Sequence, residues 1–337
     1  MKNYLLREMK KIYLLMKKNT PVAVVNKNYN LILKLNKHLF PHMGLMNLYE
    51  WRKRRHIQET DKYFIGIDYY TQNKYFIGDL SDKIAKDVRY ASLKDDYWFK
   101  PIKSNLRWED VNFFNNQYGF GIKQYQYCVG REGFENIETE KYTPDNTTIG
   151  FSKKFWKKID NENYLCKGIV NWDFLNTLDV LNQMRSNYGL EKINVVQYKL
   201  YKFNEGHGGK VCKCFTTENL SFVELPFMIN KKTDTSIEGI IKKFSKVKNF
   251  RGYIEMLVLG AYLTDTTIDM FDIGFLCDER NEIVSYAPII DSKQNDDGTC
   301  YVPFDEEENK EKLKKFIDTI EWFDFEKYEK MKEAMQE

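Results

Sequence analysis

The stretch that decides the fold of this chain is Ala261-Tyr-Leu-Thr-Asp-Thr-Thr-Ile-Asp-Met-Phe-Asp-Ile-Gly-Phe275, followed by Ala287-Pro-Ile-Ile-Asp-Ser292. Together the two segments hold four aspartates, most of them next to threonine or at the end of an apolar run. Carboxylate oxygens are the ligands that hard cations such as Mg²⁺ prefer. Aspartate and threonine also form solvated turns and helix caps. The pattern therefore leaves two interpretations open, a catalytic or metal site and an ordinary turn.

The overall composition is that of a globular protein large enough for two or three domains. The chain has 337 residues, of which 42% are hydrophobic and 30% are charged, and both fractions are ordinary for globular proteins. Aromatic residues make up 15% of the chain, which is high. This content predicts large buried aromatic clusters.

Positive charge is concentrated at the beginning of the chain. Residues 1–60 contain 13 Lys and Arg against 3 Asp and Glu, a balance of +10, whereas the whole chain has a net charge of only +3. The densest cluster is Trp51-Arg-Lys-Arg-Arg-His56. Such a cluster can contact phosphate groups of a nucleic acid or nucleotide. A solvated helix face, or a contact with the acidic remainder of the chain, is the more common explanation of such a short basic run.

Cysteine usage and hydropathy exclude several classes of protein. The six cysteines form no CxxC pair, and with only four histidines present we expect no structural zinc site. Lys and Arg interrupt every apolar stretch near the N-terminus, so we expect no secretory signal. No apolar run reaches the length of a membrane span. We therefore expect a cytoplasmic protein with free thiols and no membrane partner.

Hydrophobic periodicity predicts both strands and helices along the chain. Strands are expected at 22–25, 31–33, 151–159, 164–168, 193–201 and 210–215, and helices at 46–58, 80–93, 172–189, within 236–263 and within 309–336. From residue 151 to residue 215 the predicted order is therefore β–β–α–β–β.

Several sequence blocks resemble one family of bacterial kinases. They are Leu48–Arg55, Leu106–Phe114, Pro144–Trp156 and Tyr164–Gly168, in that order. In these blocks the chain resembles the HipA-like, CtkA-type Ser/Thr kinases of Firmicutes and their phages or mobile elements. The resemblance covers nearly the whole chain. It implies an α+β, two-lobed protein-kinase-like fold with an N-terminal α/β extension. The implied division is an accessory region at 1–140, an N-lobe-like part at 141–225 and a helical C-lobe-like part at 226–337.

The resemblance implies ATP and Mg²⁺ as cofactors and assigns residues to them. Lys167 matches the lysine that pairs with the phosphates, a task suited to a compact positive charge. Gly150 lies in the segment that would cover the phosphates. Cys214 and Phe215 fall where backbone groups would contact adenine. Asp291 matches the aspartate that binds the metal.

The chain differs from the family at positions that take part in catalysis and metal binding. Thr177 stands where a glutamate would hold the lysine in place, and Thr267 stands at the catalytic base. Ile268 replaces an arginine, Asp272 replaces the magnesium-binding asparagine, and Lys293 replaces a glycine. A threonine cannot accept a proton at neutral pH as a carboxylate does. Asp272 retains an oxygen ligand suited to Mg²⁺.

Two aspartates near Thr267 are alternative candidates for the catalytic base. Asp265 and Asp269 flank Thr267 at a distance of two residues on either side, and a small bulge in the loop would bring one of them to the base position. The sequence alone therefore leaves it undecided whether the chain is an active enzyme.

Three hypotheses for the function follow. The first is a degenerate kinase, or pseudokinase, which binds nucleotide weakly and acts through a protein partner. The second is an active, toxin-like Ser/Thr kinase that transfers the γ-phosphate of ATP to protein hydroxyls. The third is a nucleic-acid-binding regulator that uses residues 51–56, since relatives of HipA occur in toxin–antitoxin operons.

Overall fold

The computed structural model describes residues 12–53, 64–68, 74–76, 86, 89–116, 125–129, 143–144, 154–160, 162–167, 171–204, 207–267, 270, 272–290, 292–294 and 309–336. These residues form a mixed α+β fold, which confirms the predicted class. The chain divides into two compact units. Unit 1 comprises Met1–Ile169, Gln197–Val223 and Cys277–Glu282, and unit 2 comprises Val170–Val196, Glu224–Leu276 and Ile283–Glu337. The two-lobed arrangement and the boundaries at 140 and 225 stay predictions.

Unit 1 is built mainly of antiparallel sheets. Its elements are β1 (Tyr13–Lys17), β2 (Thr20–Val25), β3 (Leu31–Lys34), α1 (Leu48–Lys53), β4 (Phe64–Asp68), β5 (Lys74–Phe76), β6 (Tyr97–Pro101), α2 (Trp108–Val111), β7 (Tyr125–Val129), β8 (Thr143–Pro144), β9 (Lys154–Ile159), β10 (Glu162–Lys167), β11 (Lys199–Asn204) and β12 (His207–Lys213). The strand orders are β3-β2-β1-β6, β5-β4-β7 and β11-β12-β10-β9-β8. The predicted strands at 22–25 and 31–33 and the hairpin formed by β9 and β10 are confirmed.

Buried aromatic rings hold the N-terminal sheet of unit 1 together, as the composition predicts. The ring centroid of Tyr29 lies 4.9 Å from those of both Tyr90 and Phe99. The guanidinium of Arg52 lies 4.8 Å from the ring centroids of Tyr29 and Tyr90. Contacts of a cation with aromatic faces stabilise a buried arginine whose stem already packs among apolar groups. The start of the basic cluster is thus part of this core.

The segment Cys277–Glu282 is far in sequence from the rest of unit 1. Its residue Asn281 forms hydrogen bonds with several groups of the N-terminal part of the unit. The side-chain amide of Asn281 donates to the hydroxyl of Tyr97 at 2.8 Å and to the carbonyl of Phe40 at 3.1 Å. Nε2 of His42 lies 2.9 Å from the backbone carbonyl oxygen of Asn281. Asn281 has a φ of +64°, which asparagine tolerates better than most residues. These bonds attach the segment 277–282 to the N-terminal sheet.

Unit 2 is mainly helical. The chain enters it within β13 (Ser221–Glu224), and its elements are α3 (Trp172–Asn187), α4 (Leu225–Met228), α5 (Ile237–Lys243), α6 (Phe250–Leu263), β14 (Thr266–Thr267), β15 (Gly274–Cys277), β16 (Ile283–Tyr286), β17 (Lys293–Gln294), α7 (Asn309–Ile317) and α8 (Phe325–Gln336). The helices predicted at 172–189, within 236–263 and within 309–336 are confirmed. Among the described helices, none is long and apolar enough to cross a membrane.

Helix α3 is defined by strong signals at both ends. The side chain of Asn171 accepts a hydrogen bond from the Phe174 N–H, as an N-cap does. At the other end Gly189 has a φ of +72° and its N–H donates to the Ser186 carbonyl, which terminates the helix. On α6, a Cβ added at Gly260 would lie 2.8 Å from the Phe174 ring, so the two helices approach closely at this glycine.

Two sequence predictions differ from the structure. The strand expected at 193–201 begins only at Lys199, because the preceding residues bond elsewhere: the Val196 N–H donates to the Ile289 carbonyl, and the Asn182 side chain bonds to both backbone groups of Ile193. Of the helix expected at 80–93, Lys86 is helical, but the described residues 89–93 are not. Arg89 and Tyr90 both have positive φ, which a helix excludes. Most of that prediction lies outside the described residues, as does the part of the 46–58 helix beyond Lys53.

Candidate functional site

Within unit 2, the predicted base position and the predicted metal motif lie side by side. Strands β14 and β17 pair antiparallel, with Thr266 opposite Gln294 and Thr267 opposite Lys293. Directly opposite Cα atoms in such a pair are about 4.5–5.5 Å apart. Lys293 follows Asp291 by two residues, so this short pairing joins the two segments quoted first. Asp291, Asp269 and Ile268 themselves lie outside the described residues.

The beginning of α3 contacts the same motif. The side-chain amide of Asn171 donates to Oγ of Ser292 at 3.3 Å, and its carbonyl oxygen caps the helix at Phe174. Ser292 is buried. The residue after Asp291 is therefore held against the first turn of α3, the helix that follows the Lys167 strand in sequence.

Asp265 has a structural role that does not require catalysis. It directly follows the residue that caps the C-terminus of α6, is exposed, and has a φ of +49°. A residue in this left-handed conformation ends a helix, and aspartate tolerates it better than most. The preceding Thr264 donates its hydroxyl hydrogen to the Gly260 carbonyl at 2.7 Å, which closes the last turn. Asp265 as a substitute base stays a prediction.

Asp272 is half-buried in a turn, and its charge acts on Tyr253. The Tyr253 and Tyr286 rings stack with centroids 4.6 Å apart, and the Tyr253 hydroxyl oxygen lies 3.5 Å from the Gly274 N–H. Burial raises the pKa of Tyr253, and the nearby charge of Asp272 raises it further. Tyr253 is therefore neutral at physiological pH, and Asp272 is near enough to interact with it.

The residues present fit a magnesium ion in chemical type. Mg²⁺ in nucleotide sites is usually held by one or two carboxylates together with phosphate oxygens and water. Asp272 and Asp291 would supply two such carboxylates. Among the described residues, no group of three or more His, Cys, Asp or Glu side chains is placed to hold a metal ion.

Thr177, predicted to stand at the position of the lysine-holding glutamate, faces the interior of unit 2. Its side chain is 1% exposed, and its hydroxyl lies 3.1 Å from that of Tyr328 on α8. This hydrogen bond joins α3 to the C-terminal helix. The position therefore contributes to helix packing.

In unit 1, Lys167 lies at the end of β10, the central strand of the sheet β11-β12-β10-β9-β8. Strand β12 leads directly to the two residues predicted to contact adenine. The Cys214 N–H donates to the Asn163 carbonyl at 2.8 Å, so this N–H is not available to donate to adenine. The Phe215 ring packs edge-on against Phe222, with centroids 5.5 Å apart. Gly150 lies outside the described residues.

The Cys214 side chain is half-buried, and its thiol stays in the neutral, unreactive form at physiological pH. Burial raises its pKa to about 11, against the opposing effect of hydrogen bonds with Thr216. Because the thiolate is the reactive form, we expect iodoacetamide at pH 8 to alkylate Cys214 roughly 100-fold more slowly than an ordinary cysteine. Peptide mass spectrometry over time measures this rate, and the urea-unfolded chain is the control. Labelling of the folded chain at the unfolded rate would contradict the assignment.

The basic cluster at 51–56 is partly core. Trp51 and Arg52 are both buried, and Trp51 packs edge-on against Tyr97 with centroids 5.6 Å apart. Residues 54–56 lie outside the described part of the chain. Two of the six residues that suggested nucleic-acid binding are therefore buried. The hypothesis stays a prediction for the other four.

One buried charge network had no signal in the sequence. Arg185 on α3 is buried beside Glu255 on α6, with 3.6 Å between their charged groups, and its guanidinium lies over the Trp322 ring. The Trp322 N–H donates to Glu255 at 2.9 Å. These residues come from three distant parts of the sequence, so periodicity could not pair them. They stabilise unit 2 and are not part of the candidate site.

The chain has a weak similarity to a solved structure of a bacterial kinase. No family model matches the chain, and no curated protein matches it. Among solved structures, the crystal structure of a Helicobacter pylori proinflammatory kinase, CtkA, is similar at a TM-score of 0.25 and 18% sequence identity. The similarity covers 53% of this chain and 65% of that one, slightly less than two thirds of its length. A TM-score this low establishes neither the activity nor the complete fold of this chain.

Proposed function

We propose that this chain is a degenerate kinase-type protein that binds a nucleotide, transfers phosphate weakly or not at all, and acts through a protein partner. The observation that supports the proposal best is the pairing of β14 with β17. It brings Thr267, at the base position, opposite Lys293, two residues beyond Asp291. The elements also follow one another in the order that the kinase resemblance implies. A lysine-bearing strand comes first, then a helix, then a hairpin and finally this strand pair.

Two positions support weak or absent phosphate transfer, Thr267 and Thr177. A hydroxyl group at Thr267 cannot act as the general base at neutral pH, because its proton is held too tightly. A kinase lysine must also be oriented by an acidic partner. The hydroxyl of Thr177 is engaged by Tyr328 instead. Both changes weaken transfer, whereas neither removes the groups that would bind nucleotide.

In this proposal, nucleotide binding uses the binding residues of the kinase resemblance that this chain retains. Lys167 would pair with the phosphates, and Phe215 with the backbone near Cys214 would contact the base. Within the part of the chain that the structure describes, the Phe215 N–H makes no backbone hydrogen bond, unlike that of Cys214. Asp272 and Asp291 would hold Mg²⁺, which neutralises phosphate charge when bound. The protein partner would then respond to nucleotide occupancy and not to phosphorylation.

Calorimetry with ATP, in the presence and absence of Mg²⁺, tests the proposal. Wild type is expected to bind at micromolar to millimolar ATP, and Lys167→Ala and Asp291→Ala are each expected to weaken binding about tenfold or more, the effect of losing a charge-assisted contact. Lys158→Ala on the neighbouring strand β9 is the control. Absence of wild-type binding at millimolar ATP would sink the proposal.

A phosphotransfer assay on the same purified protein distinguishes an active kinase from a degenerate one. Transfer of phosphate from labelled ATP to protein that disappears in Asp291→Ala, and also in either Asp265→Ala or Asp269→Ala, would show that a neighbouring acid acts as the base. That outcome would replace the degenerate assignment with the active one. ATP binding without such transfer supports the degenerate one.

A further inference from the structure

An exposed apolar stretch of unit 1 lies on its edge strand β3. This strand is at one end of the sheet β3-β2-β1-β6. Its four residues and the leucine that follows are all exposed, with Ile32 at 56% and Leu33 at 55%. We name the aliphatic side chains of this stretch the β3 patch, which consists of Leu31, Ile32, Leu33 and Leu35.

The apolar core of the sheet ends at the neighbouring strand β2. There Val22, Ala23 and Val25 are fully buried. Leu31 and Leu33, which pair with β2, are exposed although their side chains are just as apolar. A single exposed leucine is ordinary, but a consecutive apolar run on an edge strand marks an interaction surface.

The register of β3 limits how a partner can bind to it. Val24 is opposite Leu33 and Val25 is opposite Leu31, so Ile32 is an extra residue that forms a bulge. A bulge interrupts the row of outward backbone groups and twists an edge away from a further strand. Addition of a strand is therefore disfavoured, and recognition depends on the side chains of the patch.

The segment around the β3 patch is positively charged. Residues 26–38 contain no acidic residue and three exposed lysines, Lys27, Lys34 and Lys37. The ammonium of Lys34 lies 4.0 Å from the ring centroid of Phe40, a cation–π contact that holds this side chain in place. A complementary partner therefore presents apolar side chains flanked by acidic ones.

We propose that the β3 patch is a docking surface for a partner protein, which binds through an amphipathic helix with an apolar stripe and acidic flanks. Such a helix buries its narrow stripe and keeps its charges at the rim. A second copy of this chain fits less well, because it would bring three more lysines to the same surface. An anionic membrane also fits less well, since Trp and Tyr are enriched at membrane interfaces and the patch is aliphatic.

The size of the β3 patch indicates a transient complex. Four half-exposed aliphatic side chains expose on the order of 300 Å², well below the roughly 800 Å² per partner of a standard interface. This area suits a short helical segment better than an obligate dimer. The inference rests on the proposed function for the existence of a protein partner, and it adds the surface that this partner contacts.

Fluorescence anisotropy with a labelled helical peptide tests the surface on the full chain. The peptide has leucine along one face and glutamate on both flanks, and a second peptide has lysine in place of glutamate. We expect micromolar binding of the acidic peptide and at least tenfold weaker binding of the basic one. Ile32→Lys and Leu33→Lys are each expected to weaken binding about tenfold or more, because each would bury a charge against the leucines.

Leu200→Lys is the matched control. Leu200 is 79% exposed on β11, an edge strand of another sheet in the same unit. Its replacement is expected to leave peptide binding within about twofold. Because all three substituted positions are exposed, circular dichroism is expected to show unchanged thermal midpoints.

Each other outcome overturns a stated part of the inference. Absence of binding to the acidic peptide, or an equal loss in Leu200→Lys, would overturn the docking surface. A wild-type dimer that dissociates in Ile32→Lys, measured by sedimentation, would assign the patch to a second copy and overturn the partner helix. Patch-dependent binding to phosphatidylserine vesicles without binding of the peptide would overturn it in favour of a lipid surface.

Calorimetry with ATP separates this inference from the nucleotide part of the proposed function. Ile32→Lys is expected to lose peptide binding and to bind ATP as the wild type does. If ATP binds and the peptide does not, the docking surface is wrong and nucleotide binding stands. If the peptide binds through the patch and ATP does not bind, the surface stands and the nucleotide assignment is wrong.

Discussion

Replacing Asp96 by asparagine is expected to lower the free energy of unfolding of unit 1 by about 3–5 kcal/mol. Asp96 forms an ion pair with Lys17 at 2.7 Å, and both side chains are only 3% exposed. Asparagine keeps the shape but removes the carboxylate that pairs directly with the buried Lys17 ammonium. Urea denaturation followed by circular dichroism measures the loss as a lower midpoint.

The same pair is not expected to be a large net source of stability. Burial raises the pKa of Asp96, and Lys17 opposes the rise without being the largest influence on it. Desolvation thus offsets much of the attraction, as in many buried ion pairs. The double variant Lys17→Met with Asp96→Leu is therefore expected to recover most of the lost stability. Glu162→Gln, which breaks the exposed pair with Lys213, is expected to leave the midpoint unchanged.

Introducing the kinase glutamate by Thr177→Glu is expected to destabilise unit 2 by about 3–5 kcal/mol and to confer no phosphotransfer. Thr177 is buried and bonded to Tyr328, so a carboxylate there would be desolvated and would push α8 away from α3. Chemical denaturation measures the loss, and labelled ATP measures any transfer. A stable variant that gains transfer would contradict the structural role of Thr177.

Two variants separate the causes of that loss. Thr177→Val keeps the volume and removes only the hydroxyl, so we expect a cost of about 1 kcal/mol. Asn176→Glu adds the same charge at the preceding, exposed position of α3, and we expect almost no change in stability. If Thr177→Glu were no worse than Asn176→Glu, the burial of position 177 would be wrong.

Much of the local structure could be predicted from the sequence. Helix α3 carries an asparagine cap, a long apolar periodicity and a terminal glycine, and it lies where the pattern predicts. The strands β2 and β9 are likewise rich in β-branched or aromatic residues and lie where the sequence predicts strands. The prediction for residues 193–198 was wrong because Asn182 and Ile289 bond to that backbone. Hydrogen bonds to distant residues leave no periodic signal.

The sequence by itself determined the α+β class and the helices with strong caps, and the kinase resemblance predicted roles for a few positions. Only the tertiary structure decided what several of those positions do. Packing against Tyr328 made Thr177 a structural residue, and packing among tyrosines made Arg52 part of the core. The physical reason is the same in each case: burial and charge depend on neighbours in space, which come from distant parts of the chain.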